Sequence, residues 1–415
     1  MAQPPQVGLT IASQPNNIAI VFDLLDRINA KVGGCSLHDA DFDRKGLLIH
    51  CHTLVQALET PRETLVKHTT AQIKPSLIAA LSFGVDSGLW ILMAKNGDRP
   101  QKVDKLASAL GIDFLLLSRL MRHVGAMGYL TEVGEDEYMP TNYSKAMSFP
   151  EIGNGYLAML SGLSSGLINF HEYSRLRGWK NPTDASDTSL MHAYGTDKDV
   201  FSWLHHRGYD KHFGDLMVGQ RLGVESWMSP NLYPVRTKLI DGARSDPEAP
   251  FLVDMGGNLG KNLADFRTLY PDAPGKLILQ DIPTVIERIV DLDPSIVRME
   301  HDLKSEQRIK GARAYYLHFI LHDWPDDICE VILAQIVKAM RPGYSKLLIN
   351  EIVMPAKGAY WEATGLDIVM MTQLCAHERT LKDWRYLLED KAGFKIMQVW
   401  SSPNAIESMI ECELA

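Results

Sequence analysis

From residue 250 onward the chain repeats one pattern. Four short apolar runs, FLVDMGG, KLILQDIP, ARAYYLHFIL and KLLINEIVMP, are separated by stretches long enough for helices of about 10–15 residues. Runs this apolar read as strands buried on both faces, and a strand, a helix and a further strand read as a right-handed βαβ unit. The pattern predicts an α/β domain, a parallel sheet with helices on both faces. In such sheets ligands bind outside the carboxyl ends of the strands, so the residues ending these runs are the first candidates for function.

The first run leads into FLVDMGGNLGKNLADF (251–266), a strand, a glycine turn and a helix. Gly256, Gly257 and Gly260 allow a sharp turn and close approach to a ligand, and the helix start presents free N–H groups. GGNLG lacks the G-x-G-x-x-G spacing of a dinucleotide fold, and no G-K-[ST] follows to make a P-loop. The second run ends at Asp281, about 25 residues past the glycines, where an acid commonly holds a ribose diol. Together these elements predict an adenosine-type ligand that lacks a pyrophosphate. Asp254 is expected to cap the loop amides, contact the ligand, or both. Asp302, in MEHDL (299–303), is placed either to meet an adenine amino group or to cap a turn.

The third run closes in LHFILHDWPDD (317–327), with His322 and Asp323 expected at the carboxyl end of a strand. The next run reaches Glu351. If the two strands are neighbours, ~4.8 Å apart, His322 and Glu351 meet above the sheet. A further acid, Glu378, follows in AHERTLKDW. A histidine with carboxylates is general-base chemistry: the acids orient the ring and the ring removes a proton. His318 would lie ~13 Å from His322 along a continuous strand, too far to share a metal ion, and reads as a core or cofactor-lining residue. His50-Cys51-His52 and His205-His206 also lack ligand spacing, so no metal site is expected.

The N-terminal part has a different character. Residues 17–31 and 46–83 read as helices. GVDSGLWILMAKNG, RPQKVDKLASALGID and FLLLSRLMRHVGAMGYL follow as three more, ending at Gly97, Gly111 and near Gly128. YLTEVGEDEYMPT alternates around a turn at Gly134-Glu135 as a hairpin would. Helix, turn, helix and hairpin make a winged helix, which serves DNA readers and enzyme dimers alike. The wing carries Glu132, Glu135, Asp136 and Glu137, and the whole chain has a net charge of −9, so dimerisation is expected and nucleic acid is not. No apolar run approaches the roughly 20 residues that span a bilayer. The five cysteines are scattered, with no CxxC, as in a reduced cytoplasmic protein. The expected segments are 1–150, helical with the winged helix; 151–247, a helical connector facing the substrate; and 248–415, the α/β domain.

GLWILMAKNG…LLLSRLMRHVGAMGYLTEV, FLVDMGGNLG, LILQDIP, HDWPDD, the Glu351 strand and the HERT element, in this order, resemble the S-adenosylmethionine-dependent O-methyltransferases of the caffeate/flavonoid type, in particular their fungal secondary-metabolite branch. The likeness runs from about residue 75 to the end. It implies a Rossmann-like class I methyltransferase domain and an N-terminal domain forming an intertwined homodimer. It implies His322 as general base, Glu351 and Glu378 holding its ring, and Asp323 beside it. Gly256 and Gly257 would back the methionine part of S-adenosyl-L-methionine, Asp281 its ribose, and Asp302 with Leu303 its adenine, with His318 on the cofactor side. Met217, Val369, Met370 and Leu374 would line the pocket of a small natural product, phenolic or enolic and polyketide-like. Relatives that keep the fold and the bound cofactor but catalyse pericyclic or dehydration steps imply an alternative activity. The chain departs from the family at Asn258, where a third glycine is usual, at His318, often Lys or Arg, and at Cys375-Ala376-His377. These departures bear on cofactor pose and substrate class.

Overall fold

The computed structural model describes residues 9–32, 43–68, 76–222, 224–230, 232–401 and 406–415. The chain divides into two compact units, Met1–Leu157 and Ala158–Ala415. Residues 1–8 of the N-terminal tail and Cys35 lie outside the described residues.

The first unit is helical. The helix Val21–Val32 matches the sequence reading, but the expected span 46–83 contains the separate helices Arg44–Leu58, Pro61–Val66 and Ser76–Asp86. One break lies at Glu59-Thr60, where Thr60 caps the new helix in a capping box with Glu63 and Pro61 follows at its first position. A second break, at left-handed Gly88, divides the expected helix 84–97 and starts Leu89–Asn96. Helices Val103–Leu110 and Phe114–Ala126 precede the hairpin of β2 (Leu130–Gly134) and β3 (Glu137–Pro140). The hairpin turn falls at Glu135-Asp136, one residue later than expected, with Asp136 at φ 47. A two-residue strand, β1 (Gln101–Lys102), pairs with β3 and completes a three-stranded sheet. Trp90, Met93, Leu117, Met121 and Tyr138 fill the core of this unit, and the Trp90 indole donates to the Leu81 carbonyl.

The second unit is built on seven strands: β4 (Pro250–Met255), β5 (Lys276–Asp281), β6 (Val297–Glu300), β7 (Ala314–His318), β8 (Lys346–Ile352), β9 (Phe394–Ser401) and β10 (Glu407–Leu414). Their order is β6-β5-β4-β7-β8-β10-β9. The first five are parallel, and β10 runs antiparallel to both neighbours. Strand alternation divides the core in two. Val253, Met255, Tyr315 and Leu317 face Ile332, Leu333 and Ile336 of the helix Asp326–Val337. Leu252, Ala314 and Tyr316 face Leu263 and Phe266 of the helix Lys261–Leu269. This is the doubly covered sheet expected of a Rossmann-like domain. Its order reverses between β4 and β7, which makes their carboxyl ends a topological switch point.

The segment 151–247, read from the sequence as a separate connector, belongs from Ala158 on to this second unit. Its helices Ser164–Ile168 and Ser189–Tyr194 pack against the helix Trp361–Leu374. Among the described residues no single helix is long and apolar enough to cross a membrane.

Candidate active site

The third apolar run does not continue as a strand to His322. β7 ends at His318, because Phe319 takes a left-handed conformation at φ 50, rare and strained for a bulky residue. A single turn of 3-10 helix, Leu321–Asp323, then carries His322. The expected ~13 Å separation of the two histidines along a strand therefore does not apply. Both imidazoles contact the Phe319 ring, His318 stacked at 4.9 Å and His322 tilted at 4.8 Å between centroids.

His322 is buried. Its Nδ1 lies 2.7 Å from Oε1 of Glu378, and its Nε2 lies 3.4 Å from Oδ1 of Asp323. Glu378 comes back to the ring because Cys375, at φ 54, ends the helix Trp361–Leu374 in the left-handed region and reverses the chain. Burial opposes an imidazolium here, yet the Asp323, Glu378 and Glu351 carboxylates outweigh it and raise the ring to about 9. The Asp323 carboxyl is itself pushed up to about 6 by burial, with the His322 charge holding it down.

Glu351 corrects the sequence reading. β7 and β8 are neighbours as supposed, but no hydrogen bond joins Glu351 to the ring. Its Oε1 accepts from the backbone N–H groups of Ile320 and Leu321, at 3.0 and 2.6 Å. It holds the turn that bears the ring. The second oxygens of Glu351 and Glu378 are buried without a partner, and burial pushes the Glu351 carboxyl up.

At the neighbouring strand end, Gly256 sits at φ 77 and a Cβ there would lie 2.4 Å from the Ile320 side chain; at Gly257 it would lie 2.5 Å from both Asp254 and Leu279. Both positions exclude a side chain. Asp254 does not cap the loop amides. Gly256 and Gly257 donate to the Gln280 carbonyl, and Asn258 N–H donates to Asp281 Oδ2 at 2.8 Å. The Asp254 carboxylate is 1% exposed, and neither oxygen has a partner at hydrogen-bond geometry; burial raises it to about 7, with Arg221 and Asn262 drawing it back down. Asn258 occupies the left-handed region at φ 53 and is exposed.

A family model described as an O-methyltransferase domain matches residues 247–395. The O-methyltransferase mfmE of Annulohypoxylon moriforme is 32% identical over 404 residues, which cover 97% of this chain and 96% of the relative. Among solved structures, OxaC with bound SAH and oxaline superposes with a TM-score of 0.81 at 26% identity, over 95% of this chain and 99% of that one. A structure described as a pericyclic reaction enzyme superposes with a TM-score of 0.82 at 28% identity, over 96% and 99%. The chain belongs to the S-adenosylmethionine-dependent O-methyltransferases.

In this methyltransferase the residues at the switch point fit the cofactor. An unpartnered buried carboxylate, Asp254, suits a cationic amino group. At Gly256 and Gly257 the space of a Cβ is filled by Ile320, Asp254 and Leu279, so glycine is what lets these side chains close on the loop. Asp281, at the tip of β5, uses its oxygens on the Asn258 and Ile282 amides and keeps further lone pairs for hydroxyls. Asp302 is exposed beyond β6 and accepts from the Lys304 amide, with Leu303 half-buried beside it.

His318 is placed differently from a residue lining the cofactor. Its Nε2 pairs with Glu407 on β10 at 2.9 Å and its Nδ1 faces Asn262 at 3.5 Å. Asn262 in turn accepts from Arg221. Of the four expected pocket residues, Leu374 packs with Trp203, Tyr194 and Phe213. Met370 is buried, Val369 is half-buried, and Met217 is half-buried on the helix Asp210–Gly219 that also carries Phe213. Buried charged residues that escaped the sequence reading include two that meet the histidine turn and strand, Glu407 and Arg379. Glu407 gives no local signal, since it meets His318 only through the sheet order. Arg379 stands beside Glu378 and was visible only as part of the HERT element.

Proposed function

We propose that this methyltransferase moves a methyl group from S-adenosylmethionine to a phenolic or enolic hydroxyl of a small, polyketide-like natural product, with His322 as the general base. The observation that carries the reading is the contact of His322 Nδ1 with Glu378. An ionised Glu378 favours the neutral tautomer with its proton on Nδ1 and its lone pair on Nε2, and in this reading Nε2 takes the hydroxyl proton as the oxygen accepts the methyl group. Bound S-adenosylmethionine supplies an electrophilic methyl group and a positive charge. Glu351, Glu378 and Asp323 stabilise the imidazolium that forms.

The raised basicity of His322 supports a phenolic acceptor. A ring near 9 and a phenol near ~10 exchange a proton at little cost, although only about one ring in a hundred is neutral at pH 7. Gly256, Gly257, Asp254, Asp281, Asp302 and Leu303 are assigned to the cofactor, with His318 supporting the helix after the glycine loop through Asn262. Met217, Val369, Met370 and Leu374 are assigned to the acceptor. The test is incubation with phenolic polyketides and cofactor. Release of S-adenosylhomocysteine and a product heavier by one methylene supports the reading. Failure of every hydroxylated acceptor to be methylated sinks it.

The likeness to a pericyclic reaction enzyme favours a second reading, in which the cofactor stays intact and its charge assists a rearrangement. An isomeric product with the cofactor unconsumed identifies it.

The first unit is assigned to a homodimer. Apolar side chains stand open along its N-terminal helices, with Phe22 78% exposed and Leu48, Val55, Leu58 and Leu65 also exposed. Light scattering tests this, and a monomer at micromolar concentration excludes it.

A further inference from the structure

The turn carrying His322 is one 3-10 turn long and is entered through a left-handed phenylalanine. The turn's own backbone hydrogen bonds, from Asp323 N–H to the Ile320 carbonyl and from Trp324 N–H to the Leu321 carbonyl, are both long at 3.3 Å. Glu351 holds the two amides at its start. The carbonyls of the turn are held by a side chain with no role so far. Arg379 is 1% exposed, and its Nη1 donates to the Leu321 carbonyl at 2.8 Å while its Nη2 donates to the Trp324 carbonyl at 3.0 Å. These two carbonyls bracket His322-Asp323. Nε and Nη2 both donate to Asp326 Oδ1, at 3.0 and 2.6 Å, and Nη2 also reaches Cys329 Sγ.

We propose that Arg379 is a positioning residue for His322: adjacent residues of one loop grip the base twice, Glu378 by its ring and Arg379 by the backbone on either side of it. The loop can do this because it is itself fixed. Met354 N–H donates to the Arg379 carbonyl at 2.9 Å, and Thr380 caps the following helix with Asp383 in a reciprocal pair. Only a guanidinium presents enough donors in a plane to serve two carbonyls and a carboxylate together. A lysine of the same charge cannot.

Arg379 also places a permanent positive charge among the groups that face the base. These are Asp323 on the same turn, Glu351 on β8, Glu378 on the same loop and His318 on β7, with Asp326 bound to the guanidinium itself. The guanidinium holds the Glu351 carboxyl down, and Glu351 acts on the ring, so removing that charge should move the His322 titration.

The inference rests on His322 being the base, so the test reads the ring as well as the reaction. Arg379→Gln is compared with wild type by the titration of the His322 ring in NMR, the signal being identified by its loss in His322→Gln. Acceptor KM, kcat and S-adenosylhomocysteine affinity by calorimetry are measured alongside. The expected result is a displaced ring titration and a kcat lower by about tenfold to a hundredfold, with KM and cofactor affinity unchanged. If Arg379→Gln does not fold, Arg379→Lys decides. It keeps the charge and loses the fork, so kcat should fall about tenfold with the titration unmoved. A folded Arg379→Gln with wild-type kcat and titration overturns the proposal, as does wild-type kcat in Arg379→Lys. If His322→Gln keeps full methyl transfer, it is the base assignment that fails, and a displaced His322 ring signal in Arg379→Lys, which keeps the charge and loses the fork, still upholds the grip.

Discussion

His322 Nδ1 and Glu378 Oε1 lie 2.7 Å apart in a site where both side chains are almost completely buried. A contact of this kind favours one tautomer of the ring, with the lone pair on Nε2, the nitrogen that faces Asp323 at 3.4 Å and is proposed as the base. His322→Ala should lower kcat by ~10²–10⁴-fold while S-adenosylhomocysteine still binds. Glu378→Gln should lose a smaller part of that factor, since the ring remains but its orientation and charge partner do not. Steady-state kinetics paired with calorimetry checks both, and a fully active His322→Ala would remove the base from the mechanism.

The pH dependence follows from the same ring. The reactive form is neutral, and the free protein holds the ring charged up to about 9. kcat/KM should therefore climb with pH through that region, and the limb should vanish in His322→Gln. Stability moves the other way. The ring is raised above its ordinary value of 6.5, so the stabilisation from its charge is complete below about 6.5 and is lost as pH rises through about 9. Thermal melts of wild type and His322→Gln should converge across that window. A constant difference would contradict the raised basicity.

Asp254 predicts a pH effect on cofactor binding. Burial lifts its carboxyl from 3.8 to about 7, so ionising it in the absence of a ligand is unfavourable. Its neutral form contributes stability that is complete below the ordinary value and lost as pH rises through about 7. A cationic amino group needs the ionised form. Affinity for S-adenosylhomocysteine should thus increase between about pH 6 and 8, and Asp254→Asn should weaken binding and flatten the curve. Calorimetry at several pH values is the measurement, and an unchanged slope in Asp254→Asn would refute the assignment.

Gly257→Ala tests the loop. Its new methyl group would meet Asp254 and Leu279 at 2.5 Å, both in the buried floor of the site. Destabilisation of about 1–3 kcal/mol is expected, with cofactor affinity falling further than stability does. Denaturant melts and calorimetry together check this. Wild-type affinity would show that the cofactor does not lie on this backbone.

The sequence made the parallel strands, the glycine loop, the acid at Asp281 and the histidine at position 322 legible, because each is announced by local pattern. Apolar runs mark β4, β5, β7 and β8, and glycine marks the turn. What escaped was set by contacts distant in sequence. Phe319 looks like a strand residue, and its left-handed conformation follows from the turn packed around it. Strand neighbourhood alone predicts Glu351 beside the ring, whereas its carboxylate is drawn to the amides that the same turn leaves open. Glu407 reaches His318 only because β10 inserts between β8 and β9, an order no local signal states. The helix over 46–83 was over-extended because its apolar spacing continues through Thr60-Pro61, whose capping outweighs it.

Asn258 has a consequence beyond its fit in the loop. Its conformation is one that glycine adopts freely and asparagine adopts with little penalty. In the unfolded chain, however, asparagine wanders over far fewer conformations than glycine does, so less freedom is surrendered when the loop takes shape. The hydrogen bond from its N–H to Asp281 then ties the end of one strand's loop to the end of the next. The loop should be set before any ligand arrives, so that binding entropy is spent on the ligand alone.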